Sequence, residues 1–186
     1  MTERYQIKRV ESSEELAQVF SQGLTELYQE IFADPPYEES FTKEEVQSYF
    51  ELYFLSGIFL SCEDIESGEV IGFAAAIPLI LEDVIAKLAQ EYDFNPETDW
   101  YFADLGVKKS YRRQKLATQL VSQLIGEISG KQVIMRTSEN NIASQRVNQQ
   151  VGFELVEGMV QDVKQMRQDC SEQTDRRIFL SRKVAS

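Results

Sequence analysis

Residues 100–117 read WYFADLGVKKSYRRQKLA, and this stretch decides the class of fold that the sequence predicts. The apolar segment Trp100–Val107 predicts a buried strand. It leads into a turn with five cations within eight residues: Lys108, Lys109, Arg112, Arg113 and Lys115. From Leu116 to Ile128 apolar residues recur at helical spacing, which predicts an amphipathic helix. A strand, a basic turn and a helix N-terminus present backbone N–H groups and a positive dipole end, which suit a phosphate group.

Length and composition favour one domain over residues 1–186, because 42% of the 186 residues are hydrophobic and no repeat or flexible linker interrupts them. The first ten residues lack the apolar core of a signal peptide. The longest apolar run, Ile71–Leu81, is shorter than a membrane span. The two cysteines, Cys62 and Cys170, do not indicate a disulfide framework. We therefore expect a cytoplasmic protein with no membrane partner.

The charged residues narrow the possible functions. The chain has no histidine, which removes the usual general base, the common nucleophile arrangements and nearly every zinc site. The net charge of −12 argues against nucleic acid as a partner. Residues 1–100 carry 5 Lys+Arg against 22 Asp+Glu, and residues 101–186 carry 14 against 9. The second half suits an anionic cofactor; the first half favours a cationic partner, although acidic surfaces are also common in soluble proteins.

Caps and periodicity predict the order of elements. Ser12 with Glu15 and Thr42 with Glu45 form capping boxes that start two helices. The first of these helices continues until Asp34-Pro35-Pro36 stops it. Further helices are predicted over Asp83–Tyr92, Leu116–Ile128 and Ile142–Val151, the last with Asn141 as N-cap and Gly152 after it. The predicted strands are Tyr5–Val10, Ile58–Cys62, Val70–Leu81, Trp100–Val107, Gln132–Arg136, Leu155–Met166 and Arg176–Val184.

Two motifs within this order carry a resemblance to a known family. An Arg/Gln-x-x-Gly-x-Gly/Ala loop falls on Arg112–Ala117, and an Asn- and Ala-containing segment that leads through a helix to Gly-Phe falls on Asn141, Ala143, Gly152 and Phe153. The chain resembles the GNAT superfamily of acyl-CoA-dependent N-acyltransferases, most sharply over Trp100–Phe153. The resemblance implies a single α/β (α+β) domain whose mixed, mostly antiparallel sheet of six to seven strands has helices on both faces. It also implies an enzyme with acetyl-CoA as cosubstrate and no metal, a small-molecule or peptide amine as acceptor, and a homodimer as an allowed assembly.

The resemblance assigns cofactor contacts to this chain. Pantetheine lies along the strand in that family, which gives Leu105, Gly106 and Val107 as contacts. The diphosphate contacts, with Asn141 from the second motif, are then Arg112, Arg113, Gln114, Lys115, Leu116, Ala117 and Thr118. Gly106 is unusual inside a strand and indicates a bulge or something packed on the backbone. Lys115 stands where the family's motif has a glycine, and helical dihedral angles there would avoid strain.

The proposed chemistry is direct attack of an amine on the thioester, with the oxyanion held by a backbone N–H near Leu105 or Gly106. Without histidine, the base must be a carboxylate, a tyrosinate or a water chain. Asp104 is the first candidate, with Glu82 and Asp83 next. Asp104 could equally be a salt-bridged strand residue, and Glu82 and Asp83 could be helix caps.

Asn148 stands where the family often has a tyrosine that protonates the departing thiolate. Its amide can donate a hydrogen bond to sulfur but cannot act as an acid. A thiolate is a tolerable leaving group near neutral pH, and Tyr111 and Tyr101 are alternative acids.

The segment Ile31–Tyr37 follows the first predicted helix, where the resemblance places the acceptor pocket. Tyr37 and Asp34 are the predicted acceptor-binding residues. With Glu38 and Glu39 beside them, the segment favours a cationic amine such as a polyamine or an aminosugar. The alternative to an acetyltransferase is a catalytically weak acyl-CoA-binding sensor or interaction module, motivated by Asn148 and Lys115. Binding to RNA through the basic turn is disfavoured by the net charge.

Overall fold

The computed structural model describes residues 4–167 and 169–184. These residues form seven strands and six α-helices. The strands are β1 (Tyr5–Arg9), β2 (Ile58–Asp64), β3 (Val70–Pro78), β4 (Trp100–Val107), β5 (Gln132–Ser138), β6 (Glu154–Met166) and β7 (Glu172–Lys183). The helices are α1 (Ser13–Ser21), α2 (Leu24–Ala33), α3 (Lys43–Ser56), α4 (Asp83–Gln90), α5 (Leu116–Glu127) and α6 (Ile142–Gln150).

The seven strands form one mixed sheet in the order β1-β2-β3-β4-β5-β7-β6. Every neighbouring pair is antiparallel except β4 and β5, which are parallel. That parallel pair is short, because β4 meets β5 only over Trp100–Phe102 and Val133–Met135. The prediction of a mixed, mostly antiparallel sheet of six to seven strands is confirmed, with seven.

Helices cover both faces of the sheet, as the alternation of buried side chains along its strands requires. One face packs against α1–α4, where Phe50 and Phe73 are fully buried. The opposite face packs against α5, whose Leu120 and Leu124 are fully buried. On β5, Ile134 belongs to the first core and its neighbours Val133 and Met135 to the second.

Three predicted boundaries differ from the structure by three residues or more. The last strand was predicted to start at Arg176 but starts at Glu172. The single helix expected from Ser12 to Asp34 is two helices, because Gly23 lies in the left-handed region with φ 96° and ends the first of them. The strand expected over Val70–Leu81 ends at Pro78, and Leu79–Leu81 form a 3-10 turn. None of the helices between residues 4 and 184 that the structure describes is long and apolar enough to cross a bilayer.

Candidate active site

The sheet opens between β4 and β5 just after Phe102, and this opening positions the site. A register shift of β4 against β3 places Ala103 as an extra residue between Phe102 and Asp104. The shift turns Asp104 toward the α1–α4 face, where its carboxylate contacts Tyr53 of α3. A bulge was predicted from Gly106, but it lies three residues earlier, at Ala103.

Past Phe102, β4 has an edge with no strand beside it among the described residues. The N–H of Lys108 donates to Ile71 O of β3, so the alternation of an antiparallel ladder directs the N–H and C=O groups of Leu105 and Val107 to the open edge. Arg112 Nε donates to Val107 O at 3.1 Å, at the end of that edge. The open edge therefore offers backbone groups to an extended ligand at Leu105 and Val107, two of the three residues predicted for pantetheine.

A glycine at position 106 is required by the packing of the protein's own side chains and not by contact with a ligand. A Cβ at this position would meet the Phe73 ring at 2.3 Å and Ile31 Cδ1 at 2.7 Å. What packs on the backbone of Gly106 is the protein's own core.

The basic turn ends in two non-glycine residues with left-handed backbone. Arg113 has φ 63° and Lys115 has φ 65°. Lys115 thus keeps the conformation that a glycine would adopt easily. The prediction that helical dihedral angles at Lys115 avoid backbone strain is therefore wrong. Lys115 is also the N-cap of α5, and no side chain caps that helix. The N–H groups of Leu116, Ala117 and Thr118 consequently have no partner within the helix, and all three residues line the cleft.

The cations of the turn divide into paired and unpaired ones. Lys108 contacts Glu69. Lys109 Nζ and Arg112 Nη1 lie 3.7 and 4.0 Å from Asp34 Oδ2. Among the described residues, no carboxylate lies within 4.0 Å of Arg113 or Lys115. Asp34, predicted to bind the acceptor, therefore lies at the basic turn and pairs with two of its cations.

A cleft of about 1040 Å³ runs from the basic turn, through the opening between β4 and β5, to the ends of α2 and α3. All but three of the predicted site residues line it: Asp34, Tyr37, Glu82, Tyr101, Asp104, Leu105, Gly106, Val107, Tyr111, Arg112, Arg113, Lys115, Leu116, Ala117, Thr118 and Asn141. The three that do not are Asp83, Gln114 and Asn148, so the position of Asp83 does not support a role as the base. Gln114 is exposed, and its amide lies 3.4 Å from Ser110 O.

Asn148 lies on α6, and its side chain is fully buried. Its Nδ2 donates to Ser144 O at 2.9 Å, one turn earlier in α6. Its Oδ1 is buried without a hydrogen-bond partner among the described residues. Ser144 and Val147 of the same helix line the cleft, whereas Asn148 does not. The predicted contact of Asn148 with the leaving sulfur is therefore not supported by its position.

Asp104 is the most strongly perturbed carboxyl of the cleft. Burial raises its pKa to about 7, although the hydrogen bond from Tyr53 opposes the shift. The Tyr53 hydroxyl donates to Asp104 Oδ2 at 2.6 Å. Arg136 also favours the ionised form, and Glu39 disfavours it. A carboxyl with a pKa near neutrality, at the wall of a cleft, suits a general base.

The cleft holds further ionisable groups beyond Asp104. Burial raises the pKa of Glu82, with Arg136 opposing the shift, and burial likewise raises the pKa of Glu39, with Arg177 opposing it. Burial raises the pKa of Tyr101 to about 12. The side chain of Glu82 does not cap α4, so the helix-cap alternative for this residue is wrong.

The α2–α3 connection crosses the cleft as a strap, residues 34–41. Tyr37 Oη lies 3.2 Å from Thr137 Oγ1 on β5 and accepts from Asn141 Nδ2 at 3.1 Å. Arg177 of β7 lies over the Tyr37 ring, 4.7 Å from its centroid. Asn141 also caps α6 through Ser144 N, so it joins the strap to the second motif.

Two glutamates tie the strap to the β6–β7 hairpin. Glu38 Oε2 lies 2.9 Å from Arg167 Nη2, and the backbones of Glu39 and Arg167 form a β-bridge. Glu39 Oε1 also accepts from Arg177 Nη2 at 3.0 Å. The acidic residues that suggested a cationic acceptor are thus each in contact with a cation of the protein.

Sequence reasoning missed several side chains at the end of the cleft that the strap crosses, which we call the acceptor end. They are Glu39 as a cleft residue, Tyr53, Arg136 and Arg177. Arg136 follows the apolar residues Val133–Met135 on β5, and a charged residue at a position that alternation directs inward is the signal that could have marked it. Arg177 lies at the end of a polar run on β7, where the sequence carries no such signal.

Comparisons with known proteins agree with this geometry. Residues 22–153 match the acetyltransferase (GNAT) family. A search of curated protein sequences finds no match. The residues that the structure describes contain no cluster of three or more potential metal ligands of the His, Cys, Asp or Glu type.

Three solved structures illustrate the similarity of the fold. The phosphinothricin acetyltransferase from Sinorhizobium meliloti, in complex with acetyl-CoA, is 17% identical, with a TM-score of 0.70 over 98% of this chain and 90% of that one. The structure of the Salmonella typhimurium protein yncA, determined with acetyl-CoA, is 15% identical in sequence, with a TM-score of 0.68 over 99% of this chain and 96% of that one. The ribosomal-protein-alanine N-acetyltransferase from Brucella melitensis is 18% identical, with a TM-score of 0.67 over 96% and 99%.

Proposed function

The chain belongs to the GNAT family of acetyltransferases, and from this premise we propose that it transfers the acetyl group of acetyl-CoA to a primary amine by direct attack on the thioester. The observation that carries the proposal is the position of Asp104. This carboxyl stands where β4 separates from β5, between the basic turn at one end of the cleft and the strap at the other.

Acetyl-CoA is the cosubstrate, and the first half of the cleft fits its chemistry. The diphosphate is bound at the N-terminus of α5, by the free N–H groups of Leu116, Ala117 and Thr118. Arg113 and Lys115 add charge there. The pantetheine amides then bond to the open edge of β4 at Leu105 and Val107.

The transfer step needs one proton acceptor and one oxyanion donor. Asp104 in its ionised form takes the proton from the attacking amine, the N–C bond forms, and the C–S bond breaks with release of the thiolate. The N–H of Leu105 points to the open edge, so it is the oxyanion donor, whereas strand alternation directs that of Gly106 toward β3.

No cleft side chain is required to protonate the sulfur, because a thiol with a pKa near ~8.5 leaves as the thiolate at neutral pH. Of the two alternative acids, the Tyr111 hydroxyl donates to Asp64 Oδ2 at 2.7 Å, and Tyr101 is buried with a pKa of about 12. Asp104, once protonated, has a pKa close enough to that of the thiol to return the proton to it.

A second candidate function is an acyl-CoA-binding module with weak turnover. The buried position of Asn148, away from the cleft lining, favours it, since the family often has a tyrosine there. This candidate predicts cofactor binding without release of thiol.

The experiment is to measure thiol release from acetyl-CoA with a panel of amines that includes amino acids, amino-acid amides, spermidine, glucosamine and short peptides. The product is confirmed by mass spectrometry. We expect acetyl-CoA-dependent acetylation of at least one class. Binding of CoA with no release for any amine would support the module instead.

A further inference from the structure

Arg136 is a cation of the cleft that the transfer step does not use. It lies on β5 directly after Met135, the last β5 residue that pairs with β4, and it is partly buried. Its Nη1 donates to Gln161 Oε1 at 2.7 Å. Among the described residues, no carboxylate lies within 4.0 Å of its guanidinium. A guanidinium has five N–H donors in a planar fork, so most of the binding capacity of Arg136 is open to a ligand.

The second arginine of the acceptor end differs sharply. Arg177 Nη2 lies 3.0 Å from Glu39 Oε1, and its Nε lies 2.6 Å from Asp175 Oδ2. Arg177 is thus neutralised by the protein and holds the strap. Arg136 is the cleft guanidinium that faces the acceptor space with an uncharged partner.

Two carboxyl groups balance Arg136 across the same space. Asp104 lies on the neighbouring strand, two residues beyond Phe102, the last paired residue of β4. Glu82 also lines the cleft, and no cation of the described residues lies within 4.0 Å of it. The acceptor end therefore presents unpaired charge of both signs.

We propose that the acceptor is a small zwitterionic amine, a molecule that carries a carboxylate beside its primary amine, and that Arg136 binds the carboxylate while the amine faces Asp104. This inference rests on the proposed function. A polyamine would bring a second positive charge against Arg136, whereas a zwitterion pairs both signs at once. Bidentate contact with carboxylate is the geometry that a guanidinium favours.

The strap sets the size of this acceptor. Its ties to Thr137, Asn141, Arg167 and Arg177 hold it across the acceptor end of the cleft, which favours a small molecule over a folded protein surface. Apolar side chains line the space beneath it: Phe32, Phe41, Tyr49 and Leu52. The part of the acceptor beyond its two charges is therefore small and apolar.

The test compares amino acids with their amides and with the corresponding amines that lack the carboxylate, such as phenylalanine, phenylalaninamide and phenethylamine, with spermidine as the cationic probe. We expect the best acceptor to carry a carboxylate, with kcat/KM at least about tenfold above that of its amide. Arg136→Gln should raise the KM for this acceptor at least about tenfold and change the KM for the amide less than about twofold. The KM of Arg136→Lys for this acceptor should lie between the values of the wild type and of Arg136→Gln. Arg146→Gln, at an exposed arginine of α6 outside the cleft, should have the KM of the wild type.

Product inhibition of the wild type gives a second measurement that needs no variant. The N-acetylated best acceptor should inhibit more strongly than its amide. The inference is overturned if the best acceptor lacks a carboxylate, or if Arg136→Gln weakens amino acid and amide equally. A protein that binds CoA and releases thiol with no amine of any class would instead refute the proposed function.

Discussion

The two ends of the cleft are built in different ways. The end proposed for the cofactor comes from one continuous segment, β4 with the basic turn and the first residues of α5, and most of the groups it offers to a ligand belong to the backbone. The acceptor end is assembled from side chains of α2, α3, the strap and five strands. A ligand that is common to a family is held by local backbone geometry, whereas selection among amines depends on side chains brought together from distant parts of the chain.

The largest effect should come from Asp104, which stands where the two ends meet. Asp104→Asn removes the proposed proton acceptor, so kcat at saturating acetyl-CoA should fall about 100-fold or more. The affinity for CoA should change less than about twofold, because the cofactor end is intact. Asp162→Asn, at an exposed position on β6, is the matched control. Wild-type turnover in Asp104→Asn would move the base to another residue, with Glu82 the next to change.

The same substitution should stabilise the fold at high pH. The pKa of Asp104 is raised from 3.8 to about 7, so between these values the folded state binds more protons than the unfolded state, and stability falls as pH rises. At pH 8 the burial of the ionised carboxylate destabilises the folded state, and the neutral asparagine has no such penalty. Denaturant unfolding should show Asp104→Asn more stable by about 1–3 kcal/mol at pH 8 and nearly equal at pH 4. If Asp104→Asn were less stable than the wild type at pH 8, the interactions of the ionised carboxylate in the folded state would outweigh the penalty of its burial.

The effect of Tyr53 should be smaller and should depend on pH. Tyr53→Phe removes the hydrogen bond that favours ionised Asp104, so the rising limb of kcat/KM should move up by about half to one pH unit. The other groups that face Asp104 are Tyr28 of α2, Glu39 of the strap and Arg136 of β5, and they remain in place. The rate should therefore drop about threefold at pH 7 and recover by pH 9.

Tyr92→Phe is the control for this measurement, since the Tyr92 hydroxyl donates to Gly158 O outside the cleft. A pH profile that is lowered evenly, without a displacement along the pH axis, would make Tyr53 a packing residue only.

The smallest expected effect lies at the cofactor end. Lys115→Gly and Lys115→Ala both remove a charge beside the diphosphate site, and each should weaken CoA binding about threefold. Only glycine adopts φ 65° without strain. Lys115→Gly should consequently be about 1 kcal/mol more stable than Lys115→Ala in denaturant unfolding. Equal stability of the two variants would mean that the turn relaxes when the lysine is removed.

The difference between the two ends also explains what the sequence could predict. The residues of the basic turn are neighbours in the chain, and a strand followed by cations and a helix start is visible without a structure. The position of Asp104 depends on the extra residue Ala103, and the role of Asp34 depends on where the strap crosses the cleft. Arg177 meets the strap, and Arg136 reaches the same cleft, only through the order β4-β5-β7 of the sheet. Such long-range placement is set by packing, which the sequence pattern of a single segment does not contain.

The most direct test of the whole account is calorimetric titration with two ligands, CoA and pantetheine, which shares the extended arm but lacks the nucleotide diphosphate. If the turn that ends at Lys115 holds the diphosphate, CoA should bind at least about tenfold more tightly than pantetheine, with the difference shrinking as salt is added. Equal affinity for the two ligands, or no heat with CoA, would contradict the account.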